Sequence, residues 1–195
     1  MNPSWTLIRT SSQSELGVSL QEAKDHLRVS GNALDDEITL LIEASTEKFE
    51  RDINRGLLNA TWQQSMQCFP SDMDSIQLHM GGTTAVTSIT YTDEDGNTQT
   101  LPASDYSFSA GRNQVFCETT DGWPAVDMST KSDKVFINFT CGATDSGCLP
   151  RLYKQAILLE VGRAYFDPAQ ENGVNTNDGR SYESIVRRLI RSTYP

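Results

Sequence analysis

The hydrophobic period of this chain changes twice, and that change constrains the fold more than any other feature. From Val18 to Gly56 apolar residues recur at spacings of three and four, the signature of helices with one buried stripe. From Asn59 to about Thr140 the pattern becomes strand-like, rich in β-branched and aromatic residues and punctuated by turn signals. At Leu149-Pro150 the helical period returns. Helices, then a run of strands, then helices again predict an α+β fold rather than an alternating α/β one. We expect helices near 19–29, 35–55, 150–166 and 181–191, with an antiparallel β-sheet or sandwich inserted between the second and third. Residues 1–17 read as an N-terminal arm, 18–58 and 149–195 as a helical core, and 59–148 as the β insertion. At 195 residues the chain is long enough for a substantial core.

Local signals sharpen these boundaries. Ser19 with Glu22 three residues later has the form of a capping box, and Leu20, Ala23 and Leu27 share one face of the helix that follows. Asp35, Asp36 and Glu37 suit the positive end of the second helix, whose stripe is Ile38, Leu41, Ile42, Ser45, Phe49 and Ile53. Gly56 is the expected stop. Strands are predicted at Thr61–Phe69, Ser75–Met80, Val86–Thr92, Thr98–Leu101, Tyr106–Phe108, Gln114–Glu118 and Lys134–Thr140. Asp95-Gly96 between two of them suggests a type I′ hairpin. Asp167–Arg180 has no apolar period and reads as a loop before a short last helix bearing Ile185, Val186, Leu189 and Ile190 on one side.

A formal net charge of −10 argues against coating nucleic acid, which needs a basic face to neutralise phosphates. The charge is uneven. Residues 1–58 carry 6 basic and 10 acidic side chains, 59–148 carry 3 and 11, and 149–195 carry 7 and 5. An acidic middle and a basic end suit end-to-end assembly against an acidic neighbour. No secretory signal precedes Arg9 and no apolar run approaches membrane-spanning length, so a reducing cytoplasm is expected and no membrane partner. Cys68, Cys117, Cys141 and Cys148 lack the paired spacing of a zinc site and read as buried free thiols.

Catalytic chemistry finds little support. The two histidines, His26 and His79, fall in different predicted elements without acid or thiol partners at ligand spacing. Asp93-Glu-Asp-Gly-Asn97 resembles a calcium loop, but Thr98 stands where such a loop requires glycine, so a solvated hairpin tip is the better reading. Gly142 to Gly147 has the two-glycine spacing of a phosphate loop, with Cys148-Leu149 in place of its Lys-Ser/Thr pair. No nucleophile elbow appears. We expect no enzyme, no cofactor and no metal.

An ordered series of motifs does carry information. Val18-Ser-Leu-Gln-Glu-Ala-Lys-Asp-His-Leu-Arg-Val29 followed by Asp35-Asp-Glu-Ile-Thr-Leu-Leu-Ile42 resembles the opening of tailed-phage head–tail connectors of the gp6-like and gp8-like kind. Leu57-Leu-Asn-Ala-Thr-Trp62, Val86-Thr-Ser-Ile89 with Tyr91, Leu101-Pro102, Asp105-Tyr106, Gly122-Trp-Pro124 and Val135 to Gly142 follow in that family's order. Leu149-Pro150 through Leu159 then resembles its third helix, so the likeness covers roughly residues 18–160. Asn54-Arg55-Gly56 and Cys141-Gly142 depart from the pattern, and beyond Tyr165 there is no match.

The resemblance implies a structural virion protein at the neck, assembled in the host cytoplasm. It would form a ring, usually dodecameric, joining the capsid portal protein to a tail-side stopper, terminator or tail-tube protein. DNA would pass through its channel without sequence-specific binding. Two surfaces are candidate contacts. Arg187, Arg188, Leu189, Ile190, Arg191 and Tyr194 combine cations with apolar anchors and are the candidate portal-binding residues, against the alternative of a helix packed on its own domain. Trp5, Leu7 and Ile8 would anchor an arm on a neighbouring subunit. Competing readings are a tail-terminator or stopper ring, and an acidic β-rich ligand-binding domain, which an aromatic platform including Trp62 or Trp123 would favour.

Overall fold

A computed structural model describes residues 5–11, 13, 15–70, 75–126, 132–166 and 177–193, with side chains of the last helix described over 181–190. The chain forms an α+β structure of two compact units. One comprises residues 1–13 and 59–142, the other 14–58 and 143–195.

The first unit is all β. Strands β1 (Trp5–Arg9), β2 (Ala60–Met66), β4 (Thr83–Thr92), β5 (Thr98–Thr100) and β8 (Val135–Cys141) form one antiparallel sheet in the order β1-β2-β8-β4-β5. Strands β3 (Ile76–Gln77), β6 (Tyr106–Ser109) and β7 (Gln114–Cys117) form a second, in the order β3-β7-β6. Alternation decides which face is covered. Val135, Ile137, Phe139 and Cys141 of β8 are buried, as are Trp62 and Met66 of β2, whereas Phe136, Asn138 and Thr140 between the β8 residues are only half-buried. Ile76, Leu78 and Val115 from the smaller sheet join the same core.

Trp5–Arg9 corrects the expectation of an arm. Its residues pair with β2 from Trp5↔Met66 to Arg9↔Trp62 and make an edge strand. The hairpin between β4 and β5 also differs from the type I′ form. Gly96 alone in that turn has positive φ, at +84°. Its N–H donates to the Asp93 carbonyl, while the Asp93 carboxylate accepts from the N–H groups of Asp95 and Asn97. A left-handed glycine at the end of the turn does the work assigned to two such residues.

The second unit holds the helices α1 (Leu20–Leu27), α2 (Asp35–Ile53), α3 (Arg151–Phe166) and α4 (Asn177–Thr193). Ser19 closes the predicted box: its hydroxyl accepts from the Glu22 N–H at 3.1 Å, and the Glu22 carboxylate accepts from the Ser19 N–H at 2.8 Å. The stop of α2 is Asn54, in the left-handed region at φ 50°, rather than Gly56. Glu50, buried in the last turn, accepts the N–H of Leu57 at 2.7 Å and so fixes the exit of the chain. Helix α4 begins at Asn177, ahead of the predicted start, because its first turn has no apolar residue from which a period could be read. The remainder of the loop predicted at 167–180 lies outside the described residues. Ile38, Ile42 and Phe49 of α2 pack with Ala23 and Leu27 of α1, Ile157 and Val161 of α3, and Tyr182 of α4.

Candidate assembly surfaces

Helix α4 is two-sided. Tyr182 is buried, and Ile185, Val186 and Leu189 pack partly against the helical core, three and four residues apart. Glu183, Ser184, Arg187, Arg188 and Ile190 lie outward. The predicted apolar anchors therefore separate: adjacent residues on a helix diverge by about 100°, so Leu189 turns inward while Ile190 stays 39% exposed. Arg187 reaches Glu183 one turn back at 3.1 Å, a pair more than half exposed on both sides and of little energetic weight. Arg188 is exposed and makes no ion pair among the described residues. The side chain of Arg191, and Tyr194 altogether, lie outside the described residues.

Polar contacts hold α4 in place. The Tyr182 hydroxyl donates to Asp52 Oδ2 at 2.6 Å, its ring meets Phe49 edge-on at 6.1 Å, and Lys48 Nζ stands 4.6 Å from its centroid. Burial, with the Asp52 carboxylate beside it, raises the phenol pKa far above its ordinary value. Beneath lies Glu160, 3% exposed, bonded to Arg163 and paired with Lys48 at 2.8 Å. Burial pushes its pKa up, but the hydrogen bonds from Arg163 and Lys48 outweigh that and hold it below the ordinary carboxylate value. Sequence reasoning missed this network, since its members lie far apart in the chain.

On the β unit, Trp5 stacks on His79 with centroids 3.8 Å apart, and the Arg9 guanidinium lies over Trp62. Burial lowers the His79 pKa. Leu7 packs against the core, while Trp5 and Ile8 remain 45% and 49% exposed on the sheet edge. Trp62 is buried, and Trp123 stacks on Phe69 at 5.0 Å, so both tryptophans are engaged in packing. His26 sits against Gly162 of α3, a packing role. The cysteines are free thiols, but only Cys141 is buried; Cys148 is exposed in the turn before α3, correcting the buried reading. Among the described residues no cluster of acids, histidines and cysteines could hold a metal, and no helix is long and apolar enough to cross a membrane.

Residues 18–102, from the start of α1 through β5, match the family model of the phage gp6-like head–tail connector protein. Over these residues the chain is similar to the gp6-like head–tail connectors. No curated protein matches it in sequence. Solved structures resemble the chain over 94% of both chains. One is from the "virion of native gene transfer agent (GTA) particle", with a TM-score of 0.74 at 18% identity. Another, from the "neck of empty GTA particle computed with C6 symmetry", has 0.76 at 17%. A third, from the "neck of native GTA particle computed with C12 symmetry", has 0.72 at 18%. At these identities the likeness is one of fold. The matched family segment contains neither the edge-strand residues 5–8 nor the α4 residues 187–194.

Proposed function

We infer that this chain is the head–tail adaptor of a tailed particle, a structural component of the virion neck and not an enzyme. It works as one copy of a homo-oligomeric ring at the head–tail interface. The observation that carries this reading is the family match across α1 to β5, joined to a whole-chain likeness to neck proteins of particles. The C12 symmetry used for one such neck supports twelve copies. The helices would form the wall between subunits. The portal would be clamped by the C-terminal helix and tail, through the outward Arg187, Arg188 and Ile190 together with Arg191 and Tyr194. Trp5 and Ile8 would meet a neighbouring subunit at the sheet edge. A tail-side stopper, terminator or tube protein would bind the ring, and DNA would pass through its channel without sequence-specific contact.

The test is mass determination of the full chain alone and with its cognate portal, by light scattering and negative-stain imaging. A stoichiometric ring on the portal, lost when residues 191–195 are deleted, is the expected result. A monomer that ignores the portal at high concentration would overturn the adaptor reading.

A further inference from the structure

The strands of the larger sheet leave one of its faces without charge. Across β1, β2, β4, β5 and β8 the one charged residue is Arg9, in a chain of which 22% of residues are charged. Its guanidinium lies over Trp62, on the face that bears the core. The opposite face presents a row of Ile8, Gln63, Asn138 and Ser88, set side by side by the strand register. Its polar groups satisfy one another. The Gln63 amide donates to Asn138 Oδ1 at 3.0 Å, the Asn138 amide donates to Ser88 Oγ at 3.1 Å, and the hydroxyls of Thr84 and Thr140 stand 2.9 Å apart. At one end Asp133, just ahead of β8, accepts the Ser65 hydroxyl. Two apolar side chains are left on this face: Ile8 is 49% exposed, Phe136 is half-buried, and neither belongs to a hydrophobic core. Acids of the β unit stand in its turns instead, with Glu94 and Asp95 exposed between β4 and β5 and Asp121 after β7.

Identical copies at a formal net charge of −10 repel wherever their acidic turns approach. A basic partner would be drawn to those turns, so a face stripped of charge suits a second copy. The centres of protein contacts are likewise depleted of charged residues and enriched in aromatic ones. A cyclic ring further requires two different surfaces to meet. The same sheet supplies the second at its free edge, where Trp5, 45% exposed, is steadied by its stack on His79. We propose that the uncharged face of one copy receives the β1 edge of the next, with the Trp5 indole set between Ile8 and Phe136. Those two side chains belong to β1 and β8, two strands and about 10 Å apart across the sheet. The inference rests on the ring reading and on the sheet-edge contact, and it names the surface that the edge meets.

The test uses the full chain assembled on portal-bearing heads. Ser88→Lys and Ser88→Glu each place one charge on the face. Both raise the concentration for half-assembly by about tenfold or more, because a charge of either sign is stranded against an uncharged surface. Glu94→Lys, in the β4–β5 turn, shifts it by less than about twofold. Trp5, Trp62 and Trp123 all lie in the β unit, so an unchanged emission spectrum shows that each variant is folded. Trp5→Cys is then combined with Gln63→Cys in a Cys148→Ser background, which removes the exposed native thiol, and oxidised. Within one copy the two positions are offset by three residues along paired strands, about 10 Å, beyond the reach of a disulfide. The pair yields a ladder of covalently linked oligomers, whereas the background and each single cysteine do not. Rings that form with no ladder and no response to either charge would overturn the face-to-edge contact while leaving the ring reading intact. Assembly strengthened by Ser88→Lys and weakened by Ser88→Glu would reveal an acidic surface against that face and would equally overturn the contact. Attachment of single copies without a ring would remove the ring reading, and this inference with it.

Discussion

Replacing Tyr182 separates the two ways in which α4 is held. Tyr182→Phe keeps the ring against Phe49 and Lys48 and removes only the hydroxyl that donates to Asp52 at 2.6 Å. A hydrogen bond to a charged group contributes about 1.5–3 kcal/mol. Asp52 is half-buried, so water replaces part of the lost bond and the lower end applies, about 1.5 kcal/mol. Tyr182→Ala also removes a ring that is 95% buried, costing about 3–5 kcal/mol. The hydroxyl should thus account for roughly a third of the truncation cost. Urea unfolding reads this cleanly. Trp5, Trp62 and Trp123 all belong to the β unit, while all four helices belong to the other. Far-UV circular dichroism therefore follows the helices and tryptophan fluorescence follows the sheets. Tyr182→Phe should lower the helical stability by the stated amount without changing the folded spectrum. A loss below about 0.5 kcal/mol, less than the range for a net hydrogen bond, would refute the claim that the Asp52 bond fastens the helix.

Two further substitutions test the packing beneath it. A Cβ on Gly17 would stand 2.7 Å from Thr46 Oγ1 and 2.8 Å from Ile157 Cδ1, so Gly17→Ala should cost about 1–3 kcal/mol in the same titration; an unchanged midpoint would show that the pocket yields. Glu160→Gln should cost about 2–3 kcal/mol at neutral pH, less than for a wholly buried pair because Lys48 and Arg163 are 39% and 24% exposed. Since the folded pKa of Glu160 lies below its ordinary value, its contribution is complete above the unfolded pKa and fades as pH falls through the folded one. The gap between parent and variant should therefore close below about pH 4, and a gap that widened there would contradict the assignment.

What the sequence disclosed was what its local periods encode. Ile38, Ile42, Phe49 and Ile53 announce α2 because each buries on one stripe, and Ser19 with Glu22 announces the start of α1. The strand at Trp5–Arg9 was hidden because its pairing with β2 spans more than fifty residues, and its alternation is too short to separate from an extended tail. Arg187 and Arg188 were legible as exposed cations. The opposite fates of Leu189 and Ile190 were not, since they depend on which side of the helix meets Phe49 through Tyr182. Nor could spacing reveal that Tyr182 would find Asp52 130 positions away.

The discontinuity of the two units sets the order in which they can be completed during synthesis. The β unit needs residues 1–13 and closes only when β8 has emerged, after residue 141. By then α1 and α2 already exist, yet Ile38, Ile42 and Phe49 lack the cover that α3 and α4 later supply. For the time a ribosome takes to add some fifty residues, about 3–10 seconds, a finished sheet structure is tethered to an open pair of helices. The nascent chain is most vulnerable to aggregation in that interval. The helical unit is completed last.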